Sequence, residues 1–182
     1  MNGRVARALG HDSMFAAPHG IYACSGAERY VAIAVETAEQ WQALLATAPL
    51  RRFVGAAYRA FAQRRGARDA IDAALREWCR EQDAFVLAER LRRAGVPAYA
   101  VLYPMDLYGD AQLAHREFFV TLEHGEMGPT PYDGFATKFS ATPGRLRNAG
   151  PCLGQDTDAV LREFLGLSDE AIVELAAAGV LS

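Results

Sequence analysis

Apolar residues fall into alternating runs and helical stripes between residues 20 and 122, and they thin out on both sides. Tyr30-Val-Ala-Ile-Ala-Val35 is a short, nearly continuous apolar run behind the turn-forming Ser25-Gly26. It predicts a buried strand paired with Gly20 to Cys24. Thr37 and Gln40 have capping-box spacing ahead of Trp41, Leu44 and Leu45, so a helix is expected from Thr37 to about Ala48. Between residues 51 and 66, Phe53, Val54, Tyr58 and Phe61 suit one face of a short helix. Ile71, Leu75, Trp78 and Cys79 form a helical stripe starting near Asp69, and a second helix is expected from Asp83 through Val86, Leu87 and Leu91 to a stop at Gly95. Val96-Pro97 then opens an extended segment, Ala98 to Leu102.

Farther along, Asp106 to His115 reads as two helical turns interrupted at Gly109, and Phe118 to Leu122 as a strand. Turn residues dominate through Pro131, and Phe135 to Phe139 is a further strand candidate. Helices are expected from Asp156 to Leu165 and from Ser168 to Ala178, with Gly179 ending the second. The pattern predicts an α+β chain. Its sheet would hold the strands at 20–24, 29–35, 98–102 and 117–122, with helices 37–48, 69–80 and 83–94 packed on it. Residues 1–19 form an N-terminal arm or linker in this reading, 20–135 a small α+β domain, and 136–182 a C-terminal arm with helices.

Composition narrows the functional classes. At 51% hydrophobic and 23% charged over 182 residues, the chain has the make-up of a globular protein and not of a disordered one. Its 19 basic and 22 acidic residues leave a net charge of -3, without the clustered basic excess of a nucleic-acid partner. No run approaches the roughly 18 apolar residues of a membrane span, so no membrane partner is expected. Cys24, Cys79 and Cys152 are odd in number and far apart, which suits a reducing cytoplasm better than a disulfide framework or a metal site. Arginine supplies the basic charge almost alone, Lys138 being the only lysine, and alanine is abundant; both point to a GC-rich bacterial genome. No Gly-rich phosphate loop, HExxH or Gly-x-Ser-x-Gly motif is present.

Several longer segments nevertheless follow a familiar order. Ala17-Pro-His-Gly-Ile-Tyr-Ala-Cys24 precedes Arg29-Tyr-Val-Ala-Ile-Ala-Val35 and then Gln40-Trp41. Leu91-Arg-Arg-Ala-Gly-Val-Pro97 and Asp110-Ala-Gln-Leu-Ala-His-Arg-Glu-Phe-Phe119 follow. Gly150-Pro-Cys-Leu-Gly-Gln-Asp-Thr-Asp158, Leu167-Ser-Asp-Glu-Ala-Ile172 and Gly179-Val-Leu181 close the series. The series resembles the C-terminal half of the family III coenzyme A transferases (CaiB/BaiF), the group that includes formyl-CoA transferase and the carnitine CoA-transferase, and it covers nearly the whole chain.

The resemblance implies the small α/β domain of that fold, flanked by extended N- and C-terminal arms. It also implies covalent chemistry in which a carboxylate attacks an acyl-CoA thioester to give a mixed anhydride, and CoA passes to an acceptor acid through an enzyme-bound thioester. The nucleophilic aspartate and most of the CoA surface belong to the family's N-terminal half, which this chain is expected to lack, so no residue here is assigned a catalytic role. The substrates are then an acyl-CoA and a carboxylic acid, with no tightly bound cofactor and no metal. The partner is either a second copy in an interlocked homodimer or a complementing N-terminal half. His19, Gly20 and Tyr22 are the expected substrate-binding residues, since their loop borders the acyl pocket in the family. Equally ordinary roles exist: His19 as an exposed turn histidine, Tyr22 as a strand tyrosine with its hydroxyl at the surface, and the arginines at 51, 52, 64, 65, 68, 90, 92 and 93 as solvated charge.

Two departures bear on substrate. Ser13-Met-Phe-Ala-Ala17 replaces the glycine-rich loop of the formyl-CoA transferase branch, and Gly154-Gln-Asp-Thr157 replaces the family's Gly-Glu-His-Thr. Related acyl-CoA racemases use three acid-base residues, of which one would fall near Glu36 or Thr37. A non-catalytic remnant that folds without acyl transfer is the remaining alternative.

Overall fold

The computed structural model describes residues 8–181. The first seven residues of the expected N-terminal arm, and Ser182, lie outside the described residues. The chain divides into two units, Met1–Leu102 and Tyr103–Ser182.

In the first unit, β1 (His19–Ala23), β2 (Tyr30–Ala34) and β3 (Ala98–Ala100) form an antiparallel sheet in the order β1-β2-β3. The register places Tyr22 opposite Val31 and Val31 opposite Ala100, while Gly20 faces Ile33 and Ile33 faces Ala98. Side chains alternate across a strand, so these residues share one face. Tyr22, Val31, Ile33, Ala98 and Ala100 are buried on it, whereas Ile21, Tyr30 and Tyr99 remain substantially exposed on the other.

Helices supply the rest of the core: α1 (Ala38–Thr47), α2 (Phe61–Gly66), α3 (Arg68–Cys79) and α4 (Ala84–Arg93). Trp41, Leu44, Ile71, Leu75, Cys79, Leu87 and Leu91 are all buried. Helix α1 begins with the expected capping box: Gln40 N–H donates to Thr37 Oγ1, and Thr37 N–H donates to Gln40 Oε1. Asp83 caps α4 by accepting from the amides of Phe85 and Val86. At its far end Gly95 adopts φ +88°, its amide donates to Arg92 O, and Val96 N–H reaches Leu91 O. This left-handed stop turns the chain into β3.

The segment at 51–66 is not one short helix. It holds 3-10 turns at Arg51–Phe53 and Ala56–Tyr58, separated by Gly55 at φ +137°, before α2 begins. A glycine in that region of backbone space interrupts helical geometry, whatever its apolar neighbours favour.

The second unit contains α5 (Pro104–Leu107), α6 (Ala111–His115), β4 (Phe119–His124), β5 (Gly128–Asp133), α7 (Thr157–Glu163) and α8 (Asp169–Ala177). The strand expected at 117–122 is present as β4, but it does not join the three-stranded sheet; it pairs with β5 in a separate hairpin. β5 occupies the stretch expected to be turns through Pro131, and 135–139 is not a strand. In a two-stranded ribbon each strand has a free edge, so Pro129 and Pro131 are tolerated where a central strand would lose ladder bonds. Every buried apolar side chain among the described residues precedes Val101. In the second unit Met105, Phe139, Leu153, Phe164, Leu165 and Val173 are exposed.

Candidate functional site

The segment leading into β1 is built from short polar anchors. Ser13 Oγ accepts from the amides of Phe15 and Ala16, each at 3.1 Å, and Asp12 Oδ1 accepts from Ser13 N–H at 2.9 Å. Asp12 also meets the guanidinium of Arg68 at 2.6 Å and that of Arg65 at 3.7 Å. Partial desolvation raises the Asp12 carboxyl, but the hydrogen bond and charge of Arg68, with the Ser13 amide and the charge of Arg65, hold it below the usual range. Two main-chain bonds then join this segment to the end of β2: Ala17 N–H donates to Val35 O at 2.8 Å, and Val35 N–H to Pro18 O at 2.9 Å.

His19 stands between two hollows. One, of about 210 Å³, is polar and lined by residues that include Asp12, Arg65, Arg68, Asp72 and Arg76. The other, of about 520 Å³, is open and largely apolar, with Gly20, Ile21, Ile33 and Tyr99 in its wall. His11 and His19 border both. His19 Nδ1 lies 2.7 Å from the carbonyl oxygen of His11. A carbonyl only accepts, so Nδ1 carries the proton, and Nε2 of the neutral ring is left as an acceptor.

Tyr22 and Gly20 share the inner face of β1. A Cβ on Gly20 would approach Tyr22 Oη to 3.0 Å and Cζ to 3.1 Å, so the ring folds back over the glycine. The Tyr22 hydroxyl is not at the surface: the residue is 2% exposed, and its hydroxyl donates to Asp72 Oδ1 at 2.8 Å. Burial, followed by the charge of Asp72, pushes the phenol well above its ordinary pKa. Asp72 is itself raised, mainly by desolvation, against the lowering effects of the Tyr22 bond and the Arg76 charge. Tyr22 therefore reaches the polar hollow through Asp72 and not through its own hydroxyl.

The arginines divide. Arg92 and Arg93 are held by Glu89, at 2.5 and 2.7 Å, and Arg90 lies 5.3 Å from the Trp78 ring centre. Arg64, grouped in the sequence with solvated charge, is 1% exposed. Asp72 was missed by sequence reasoning, and Arg64 was read as solvated charge. Nothing in the pattern separates Arg64 from Arg65, whereas Asp72 lies between Ile71 and Leu75 on the inward-turning side of α3, a position that signals partial burial. Cys79 is pushed up to about 12 by burial and then by Cys24, and burial also raises Cys24, so neither buried thiol is an activated nucleophile. Among the described residues, no group of three or more His, Cys, Asp or Glu is arranged to hold a metal, and no helix is long and apolar enough to cross a membrane.

Comparison with known proteins places this geometry in context. The model of CoA-transferase family III matches residues 1–157. The chain belongs to that family. The succinyl-CoA–L-malate CoA-transferase alpha subunit of Chloroflexus aurantiacus is 28% identical over 174 residues, covering 95% of this chain and 40% of the relative. The beta subunit from the same organism is 32% identical over 106 residues, 58% of this chain and 26% of its own length. The formyl-CoA:oxalate CoA-transferase of Rhodopseudomonas palustris (strain HaA2) is 29% identical over 112 residues, 62% of this chain and 26% of the relative. A crystal structure of a CaiB/BaiF family protein from Brucella suis superposes with a TM-score of 0.70 at 20% identity, over 89% of this chain and 41% of that one, and shares its α+β fold. The chain thus spans between 26% and 40% of the length of these curated relatives.

Proposed function

We propose that the chain is the C-terminal part of a family III CoA-transferase, moving CoA between an acyl-CoA and a carboxylic acid, with the catalytic carboxylate on a polypeptide region outside it. The observation that carries this reading is His19, pinned by its Nδ1 and set between a polar and an apolar hollow. It lies in the stretch resembling the family's Pro-x-Gly-x-Tyr strand. In the assembled enzyme the outside carboxylate attacks the thioester carbonyl, the C–S bond breaks, and a mixed anhydride forms with release of CoA thiolate. The thiolate attacks the anhydride, freeing the first acid and leaving an enzyme thioester. The acceptor carboxylate attacks that thioester and displaces CoA thiolate, giving a second mixed anhydride; the thiolate then attacks the acceptor's acyl carbon, forming the new acyl-CoA and regenerating the enzyme carboxylate.

The contribution of this chain is to wall the acyl pocket with residues 13–22, exclude water from the anhydride, and present His19 and Gly20 to the substrate. Tyr22 belongs to the same wall through Asp72. Residues 136–181 serve as an arm toward the complementing region, and the exposed apolar side chains of the second unit support that role. The assembly is an interlocked cytoplasmic dimer or a complex with a separate N-terminal half.

An acyl-CoA exchange assay on this chain, on an N-terminal family half, and on the two mixed tests the reading. Transfer is expected only in the mixture, and His19→Ala is expected to slow it about tenfold or more. Transfer by this chain alone would overturn the placing of the nucleophile. Failure of every mixture would favour a folded, non-catalytic remnant.

A further inference from the structure

Arg64 is the most unusual side chain of the first unit. Its guanidinium is buried, and no carboxylate pairs with it among the described residues. Its partners are main-chain carbonyls from two separate segments: Nε donates to Ala17 O at 2.7 Å, and Nη1 to Arg59 O at 2.6 Å and, longer, to Tyr58 O at 3.5 Å. The guanidinium also lies 5.7 Å from the centre of the buried Trp41 ring. Desolvation lowers its pKa without removing its charge.

Burying an unpaired cation is costly, and an apolar side chain of similar volume would fill the space with less penalty. What an apolar side chain would not do is hold a carbonyl at a fixed height. Ala17 O is two residues from His19, and the flanking Ala17 N–H and Pro18 C=O are bonded to Val35. Losing the Arg64 bond would leave Ala17 O buried and without that donor, so the segment would have to move to regain one. That movement would shift His19 relative to His11 O and thus change the direction of Nε2.

We propose that Arg64 is a positioning residue of the acyl site: by clamping Ala17 O to the 58–59 turn, it fixes the height and tautomer of His19. The link to catalysis rests on the proposed function; the link to His19 does not. Nitrogen-detected NMR of the isolated chain reads the tautomer directly, with His19→Ala assigning the signal among the histidines. The wild type should show His19 with the proton on Nδ1. Arg64→Met, which removes charge and donors, should give an averaged tautomer signal and speed exchange of the Val35 amide at least tenfold, while the Val31 amide in β2 changes little.

Arg64→Lys keeps the charge and one donor centre, and should fold and partly restore both signals if the Met variant is too unstable to study. Folded variants that keep the Nδ1–H tautomer and Val35 protection would overturn the proposal, because a purely structural role lowers stability without altering His19 in the folded state. In the reconstituted transferase, Arg64→Lys should lower kcat about tenfold and leave KM for the acyl-CoA unchanged. If the wild-type mixture transfers CoA and the variant does so at full rate, this inference fails alone. If no mixture transfers CoA, the proposed function fails and the NMR result still decides the role of Arg64.

Discussion

Asp12 and Asp72 border the same polar hollow and are displaced in opposite directions, which gives them opposite effects on stability. Asp72 is raised, so between the ordinary carboxylate value of about 4 and its folded value the native state binds more protons than the unfolded one. Stability from this group is therefore full below the unfolded value and falls as pH rises through the folded one. Asp12 is lowered; its contribution is present above the unfolded value and is lost as pH falls through the folded value. Asp72→Asn keeps an acceptor for the Tyr22 hydroxyl and removes the titration. Denaturant titrations of wild type and Asp72→Asn from pH 3 to 7 should show the variant gaining relative stability as pH rises. A difference that stays flat or runs the other way would mean that the Asp72 carboxylate is well compensated by Arg76. Sequence reasoning placed Tyr22 on a strand but not its partner, because the bond joins residues 50 apart in the chain.

At the scale of elements, legibility followed locality. The capping box at Thr37, the helix start at Asp83 and the stop at Gly95 are set by neighbours within a few residues, and each formed as the sequence implies. The β4-β5 hairpin was half legible: Phe118 to Leu122 has an apolar strand pattern, whereas Gly128-Pro-Thr-Pro-Tyr-Asp133 carries the residues that usually mark turns. Only its position in a two-stranded ribbon makes those prolines compatible with pairing, and strand number is not a local property. Gly95 offers a direct measure of a local rule. At φ +88° a Cβ meets nothing within 4 Å, so Gly95→Ala imposes backbone strain without a clash. Thermal or denaturant unfolding should show a loss of about 1 kcal/mol, the cost of holding an L-residue in the left-handed region. A loss several times larger would mean that the turn into β3 has been displaced.

For the molecule as a whole, the uneven distribution of buried apolar area is the governing fact. The first unit closes its core with Trp41, Leu44, Ile71, Leu75 and Leu91 fully buried, and the second closes none comparable among the described residues. Hydrogen bonds hold the β4-β5 ladder, but the face that carries Val120, Leu122 and Tyr132 is only half-buried, and a two-stranded ribbon so thinly covered is marginal in water. Local stability should therefore differ between the units: the amides of β2 and α3 should exchange only on near-global opening, those of β4 and β5 through smaller openings. Hydrogen exchange read by mass spectrometry tests this on the chain alone. Adding the complementing N-terminal half should then raise protection in β4, β5, α7 and α8 about tenfold or more while leaving β2 unchanged, because Phe164 and Leu165 of the second unit are still exposed whereas Val31 and Ile33 of β2 are already buried. If the second unit is already as protected as the first before any partner is added, its exposed apolar residues are not awaiting a surface, and the role given to the 136–181 arm would have to be abandoned.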